Sequence, residues 1–350
     1  MTATTDADQG VAAGQPPTIS QIAELAGVSV ATVSKVVNGR SEVAPETRAL
    51  VETVIRERGY RNQKKRAGPA ALLELVFHEL EGAYALEIIK GVADVAREHH
   101  LAVVLSELQG RHTPGRGWIE GVLRRRPTGV IAIFSGLTDP QRDQLRTRQI
   151  PLVLVDPTGE PRHEYPSVGA GNWNGGLSAT RHLLDLGHRR IGVITGPAHT
   201  LSSRARLDGY RAALDAAGVP IDPALIREGD FNVEDGIAHA RALFGLADPP
   251  TAIFACNDAQ AIGAYQAAHE AGLRVPHDLS LVGFDDLPPA QWMVPPLTTV
   301  RQPLADMAGA AATMVVTLAR GEQLPRNRVE LATELVVRSS TAPPTRRNSR

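Results

Sequence analysis

Residues 18–60 read TISQIAELAGVSVATVSKVVNGRSEVAPETRALVETVIRERGY, and their periodicity decides the first domain. Ile19, Ile22, Ala23 and Ala26 recur at i, i+3, i+4 and i+7, and Gly27 supplies the backbone freedom that a tight turn between two helices requires. The spacing predicts a first helix ending at Ala26. Ser29 stands where a hydroxyl can cap a second helix, in which Val33, Val36 and Val37 face inward while Ala31, Ser34, Lys35 and Asn38 fall on the opposite side. A face that is small, polar and basic can approach a major groove, with Ser34 and Asn38 bonding phosphates or base edges and Lys35 reaching guanine acceptors. From periodicity alone the same face also suits a solvated helix surface.

Past Tyr60 the chain runs Arg61-Asn62-Gln63-Lys64-Lys65-Arg66-Ala67-Gly68-Pro69. The stretch is short, strongly basic and closed by Gly-Pro, which predicts a flexible linker whose Lys64, Lys65 and Arg66 bind phosphate. Residues 18–66 hold nine Lys or Arg against five Glu, a net of +4, which leaves −5 for the remainder of a chain whose total is −1. Only the amino-terminal end should attract nucleic acid.

The 350 residues, 43% hydrophobic and 21% charged, are ample for a buried core and suggest a small domain joined to a larger two-lobed body. The first seventeen residues are small and polar with no apolar signal-like run, and no segment approaches the ~20 apolar residues of a membrane span. With Cys256 the single cysteine, a reduced cytoplasm and no membrane partner are the expectation. Cys256 closes the apolar run Thr251-Ala-Ile-Phe-Ala-Cys and reads as a buried strand thiol.

Beyond Gly68 short apolar runs such as Leu73-Glu-Leu-Val-Phe, Ala102-Val-Val-Leu, Gly129-Val-Ile-Ala-Ile-Phe and Pro151-Leu-Val-Leu-Val alternate with helical stretches, and the pattern continues through Arg190-Ile-Gly-Val-Ile, Ala252-Ile-Phe-Ala and Leu279-Ser-Leu-Val-Gly-Phe. Buried strands joined by helical crossovers imply parallel sheets, and the number of units implies two doubly wound lobes with ligand groups at the carboxyl ends of strands. Polar residues collect there: His78 and Glu79, Asp156, Asp230, Asn257 with Asp258, and Asp285. An Asn or Asp after a strand is as readily the N-cap of the next helix, and Asn257-Asp258 suits both roles.

Two sets of motifs carry a resemblance. AGVSVATVSKVVNG followed by APETRALVETVIRERGY resembles the DNA-binding domain of the lactose-repressor-like (LacI/GalR) transcription regulators, and Ser203-Arg-Ala-Arg-Leu-Asp-Gly-Tyr, Phe254-Ala-Cys-Asn-Asp, Val282-Gly-Phe-Asp-Asp and Pro296-Leu-Thr-Thr-Val-Arg-Gln-Pro resemble their effector-binding core. The resemblance implies a small all-α helix-turn-helix domain plus an α/β core of two doubly wound parallel-sheet lobes, similar to periplasmic sugar-binding proteins. It implies that Val30, Ala31 and Lys35 read bases and that Thr32, Ser34 and Asn38, beside the capping Ser29, contact phosphates. It also implies that Arg206, Asn257, Asp285 and Asp156 hold sugar hydroxyls while Phe231 stacks on the ring. His78, Glu79 and Tyr84 are candidates on the other lobe, and Trp173 follows an implied lobe crossing. Two departures stand out: Ala44 occupies a position where the family has a Ser or Thr cap, and residues 61–69 replace the usual hinge-helix pattern.

The implied organisation is a disordered tail at 1–17, the helix-turn-helix at 18–60, a linker at 61–71 and a core at 72–340. Lobe one takes about 72–169 and 301–331, lobe two about 170–300 and 332–340, and 341–350 is a second disordered tail without an apolar heptad, so a homodimer rather than a tetramer is expected. The reading is a repressor of palindromic operator DNA controlled by a small effector, most readily a sugar, with no cofactor and no metal. A solute-binding protein would suit the core alone, but the basic head and the missing signal run argue against it. No G-x-G-x-x-G after a strand, G-x-x-x-x-G-K-[ST], G-x-S-x-G or H-E-x-x-H occurs, so no enzyme is expected. His99, His100, His182 and His188 lack metal-ligand company and are expected in surface or capping roles.

Overall fold

The computed structural model describes residues 17–37, 43–58, 69–80, 82–109, 113–134, 136–157 and 165–345. The chain forms two compact units, residues 1–68 and 69–350.

The first unit contains α1 (Ile19–Leu25), α2 (Val30–Val37) and α3 (Pro45–Glu57). Thr18 and Gln21 close a capping box on α1, and Gly27 turns the chain at φ +62°, a left-handed value that favours glycine. The Ser29 hydroxyl accepts a hydrogen bond from the Thr32 amide at 3.1 Å, capping α2. Ala44 leaves α3 with no side-chain cap, and only Pro45 in the first turn presets its start. Ile22, Val33 and Val51 are fully buried at the centre, with Ala23, Ala26 and Val36 around them. Asn38, Lys64, Lys65 and Arg66 lie outside the described residues, as does most of the predicted linker.

The second unit opens with β1 (Ala70–Phe77), α4 (Gly82–Glu98), β2 (Ala102–Glu107), α5 (Arg116–Arg125), β3 (Pro127–Ile133), α6 (Asp139–Thr147), β4 (Leu152–Val155) and β5 (Ser167–Ala170). It continues through α7 (Asn172–Asp185), β6 (Ile191–Thr195), α8 (Leu201–Ala216), β7 (Ile226–Glu228), α9 (Val233–Phe244), β8 (Ala252–Ala255), α10 (Asp258–Glu270), β9 (Ser280–Asp285), α11 (Pro288–Trp292) and β10 (Thr298–Arg301). It closes with α12 (Leu304–Ala319), β11 (Arg328–Leu331) and β12 (Glu334–Val336). The strands form two six-stranded sheets, ordered β11-β5-β4-β3-β1-β2 and β12-β10-β9-β8-β6-β7. All pairings are parallel except β10 with β12, as helical crossovers require.

Each sheet is covered on both faces. One apolar cluster packs α4 and α12 on the first sheet and another packs α5 and α6 on its reverse, while α7 and α8 and then α9 and α10 do the same for the second. The chain passes between the sheets at Gly171, at Gln302–Pro303 and at Ala332–Thr333, so Arg301 still belongs to the second sheet rather than to lobe one.

Two sequence expectations are corrected. Residues 341–345 are not a loose tail: the Ala342 amide donates to Ser280 Oγ at 3.1 Å and Thr345 Oγ1 donates to the His277 carbonyl at 2.9 Å. His188 is not a surface residue. It is 1% exposed and shares hydrogen bonds with Thr251, Ser280 and the Ala342 carbonyl, because the closing segment lies over it.

Candidate ligand-binding cleft

A cavity of about 360 Å³ lies between the two sheets of the second unit, and strand ends supply much of its wall. His78 and Glu79 follow β1, Phe134 follows β3, Asp156 follows β4, Phe231 follows β7, Asn257 follows β8 and Asp285 ends β9. This is where doubly wound sheets place ligand groups, since crossovers leave the carboxyl ends of strands open. Four of these residues hold left-handed backbone: Phe134 (φ +46°), Asp156 (+43°), Phe231 (+62°) and Asp285 (+117°). Such conformations cost of order 1–3 kcal/mol each, and their concentration around one cavity marks a site whose side-chain directions are enforced by the fold.

Arg206 reaches the cavity from α8 and is the only Lys or Arg among its lining residues. Its Nε donates to Asn172 Oδ1 at 2.8 Å and its Nη1 to the Cys256 carbonyl at 2.5 Å, while the guanidinium lies 3.7 Å from the Phe284 ring centroid. Asp285 Oδ1 is 3.9 Å from Nη1, an ion pair longer than a hydrogen bond. The guanidinium is thus fixed in orientation by neighbours other than the carboxylate, which suits bidentate recognition of paired hydroxyls.

Burial dominates the electrostatics. It pushes the Asp285 carboxyl up to about 7, against the opposing pull of Arg206 and of Gln302, whose Nε2 donates to Oδ1 at 2.6 Å. Asp156 is raised for the same reason, with Arg206 and the Tyr84 hydroxyl opposing. Tyr84 donates to Asp156 Oδ2 at 3.1 Å, and burial together with that carboxylate holds its phenol far above its ordinary value. Cys256 is buried, its thiol pushed up to about 12 by desolvation, which makes it a packing residue.

Of the residues singled out in the sequence, Asp156, Arg206, Phe231, Asn257, Asp285, His78, Glu79 and Tyr84 come together in this cavity. Asn257 takes the capping role, one of the two that the sequence left open: its Oδ1 accepts from the Gln260 amide as N-cap of α10, while its Nδ2 donates to the Phe231 carbonyl at 2.7 Å and the side chain also lines the cavity. Trp173 is not among the lining residues. It sits in the first turn of α7, 45% exposed, because the helix turns it away from the direction in which Asn172 meets Arg206. Phe134 and Asn172 were missed by sequence reasoning; Phe134 ends an apolar run indistinguishable from core, and Asn172 acts only through Arg206. Phe231 lies against the Gly196 backbone, where a Cβ would stand 2.1 Å from the ring.

On α2 of the first unit Ser29, Val30, Ala31 and Lys35 are exposed, Val30 at 45%, while Thr32 and Ser34 are half-buried. An exposed valine beside an alanine and a lysine leaves room for close approach of a base edge. Thr32 Oγ1 shares a hydrogen bond with Ser29 Oγ at 2.8 Å, so both hydroxyls are oriented by the cap.

Comparison with known proteins agrees with this division. Residues 18–63 match the family described as bacterial regulatory proteins, lacI family, and residues 180–341 match a periplasmic binding protein-like domain. The chain is 31% identical over 328 residues to the HTH-type transcriptional repressor PurR of Pasteurella multocida (strain Pm70), covering 92% of this chain and 98% of that one. Among solved structures it resembles a transcriptional regulator CelR–cellobiose complex, with TM-score 0.70, 33% identity and coverage of 93% and 99%. It also resembles the lac repressor dimer bound to operator and the anti-inducer ONPF, with TM-score 0.67, 29% identity and coverage of 94% and 100%.

Proposed function

The chain belongs to the lacI family of bacterial regulatory proteins, and from that premise we propose that it is a cytoplasmic, homodimeric repressor that binds palindromic operator DNA and is controlled by a neutral sugar held in the cleft. Val30, Ala31 and Lys35 read base edges, with Ser29, Thr32, Ser34 and Asn38 at the phosphates and Lys64, Lys65 and Arg66 adding charge along the backbone. In the cleft Arg206, Asp285, Asp156 and Asn257 bind hydroxyls, and Phe231 covers the apolar face of a sugar ring. A dimer presents two such heads to half-sites about one helical turn apart.

The observation that carries the ligand class is the charge of the cleft. Among the described residues five acidic side chains line it, Glu79, Asp156, Asp230, Glu234 and Asp285, against Arg206 as the single Lys or Arg. Phosphate recognition calls for clustered cations, and these walls present no such cluster while offering paired hydrogen-bonding carboxyls to a polyol.

A thermal-shift panel of cellobiose, other neutral sugars, purines and sugar phosphates tests the ligand class. A neutral sugar at 100 times its dissociation constant should stabilise the protein by about 2.7 kcal/mol. A panel in which only purines or phosphates moved the melt would overturn it. Mobility shift with DNA from upstream of the protein's own gene tests the regulator reading, which fails should no sequence be bound better than random DNA at physiological salt.

A further inference from the structure

A row of stacked groups crosses the cleft from one lobe to the other. His78 and Phe134 on the first lobe lie with ring centroids 6.4 Å apart, and Phe134 meets Phe231 of the second lobe at 5.9 Å and 70°, an edge-to-face contact. Phe231 then faces the Arg206 guanidinium at 5.7 Å, which in turn covers Phe284 at 3.7 Å. The row therefore ends in the centre of the second sheet, since Phe284 is fully buried on β9.

Its place in the topology gives it leverage. The three lobe crossings adjoin β5, β10, β11 and β12, which lie at one edge of each sheet, whereas Phe231 follows β7 at the opposite edge of the second. Phe134 follows β3, on the side of β4 and β5 away from that edge. Both rings are held in left-handed backbone, and Phe231 is further fixed by the Gly196 backbone and by the Asn257 bond to its carbonyl. A contact between two rigidly presented rings, remote from the crossings, resists rotation of the lobes about them.

We propose that Phe134 is a positioning residue for effector capture: its ring clasps Phe231 across the cleft and weights the two lobes toward the arrangement seen here, in which Arg206, Asp285, Asp156 and Asn257 line one cavity. This rests on the reading of the cleft as the effector site. An edge-to-face pair alters a two-state equilibrium by roughly two- to tenfold, and apparent affinity falls in proportion to the competent fraction that is removed.

Pulsed dipolar distance measurement on the full chain tests the clasp with no sugar added. Spin labels go on Gln144→Cys in α6 and Ala238→Cys in α9, both exposed, and the buried Cys256 thiol stays out of the labelling reaction. Phe134→Ala should raise the ratio of the longer to the shorter inter-lobe distance roughly two- to tenfold. Phe134→Tyr, which keeps the ring, should restore the original distribution, and Phe134→Leu, which keeps bulk without an aromatic edge, should shift it as alanine does. Phe231→Ala combined with Phe134→Ala should open the lobes no further than either alone. Distributions that coincide for wild type, alanine and leucine variants would overturn the clasp, as would a tyrosine variant as open as the alanine one. A distance shift in a protein that answers to no neutral sugar would leave the clasp standing and remove the sugar reading instead.

Discussion

Asp285 is the residue at which stability and recognition conflict. Burial raises its folded-state pKa to about 7, above the roughly 4 of an unfolded chain, so between these values the folded protein holds a proton that the unfolded chain has released. The stabilising contribution is fully present below pH about 4 and is lost as pH rises through about 7. Asp285→Asn should therefore flatten the decline in core stability between pH 5 and 8 and gain on the order of a few kcal/mol at pH 8, read by urea unfolding at both values. If the cleft binds a sugar as proposed, with the ionised carboxylate as an acceptor, the same substitution should weaken sugar binding, and wild-type affinity should rise with pH through about 7 in calorimetric titration. Arg206 offers the complementary case. Arg206→Lys keeps the charge but loses the fork that reaches Asn172 and the Cys256 carbonyl, so it should abolish the effector response in mobility shift while leaving ligand-free DNA binding intact. Collapse of DNA binding in this variant without ligand would make the residue structural.

At the scale of elements, one helix and one strap show how local chemistry becomes architecture. Ala44→Ser should supply the missing cap of α3 and gain about 0.5–2 kcal/mol, visible as slower hydrogen exchange of the Glu46 and Thr47 amides. The absent cap was legible in the sequence because N-cap chemistry depends on one residue and its immediate successors. The closing strap was not legible: residues 339–345 are short and polar, yet Ser340 is fully buried, donating to the Leu281 carbonyl at 2.6 Å and accepting from the Thr298 amide at 2.7 Å. Ser340→Ala should cost about 1–3 kcal/mol by thermal unfolding, since both backbone groups would be left buried without that partner. The position of Phe134 was hidden for a similar reason, because an aromatic residue ending an apolar strand looks like core until the opposing lobe is placed.

For the whole molecule the division of charge is the organising fact. A head region of net +4 attached to a remainder of −5 confines electrostatic attraction for DNA to the amino-terminal residues, and the cleft belongs to the acidic remainder. Lys35→Ala should relax operator selectivity, whereas neutralising Lys64, Lys65 and Arg66 together should weaken binding to all DNA and reduce the salt slope by about one for each phosphate no longer neutralised, measured by titration at several salt concentrations. Equal loss of selectivity from both would contradict that separation of roles. What the sequence determined by itself was everything carried by near neighbours or by fixed period: the three-helix head, the α/β alternation, the parallel sheets and the polar residues at strand ends, because helix caps, turns and hydrophobic repeats are set within a few residues. Only the tertiary structure decided which of those polar residues share a cleft, that Asn172 rather than Trp173 serves Arg206, and that Phe134 meets Phe231, because each of these depends on packing that brings distant segments within a few ångströms and on burial that no local pattern records.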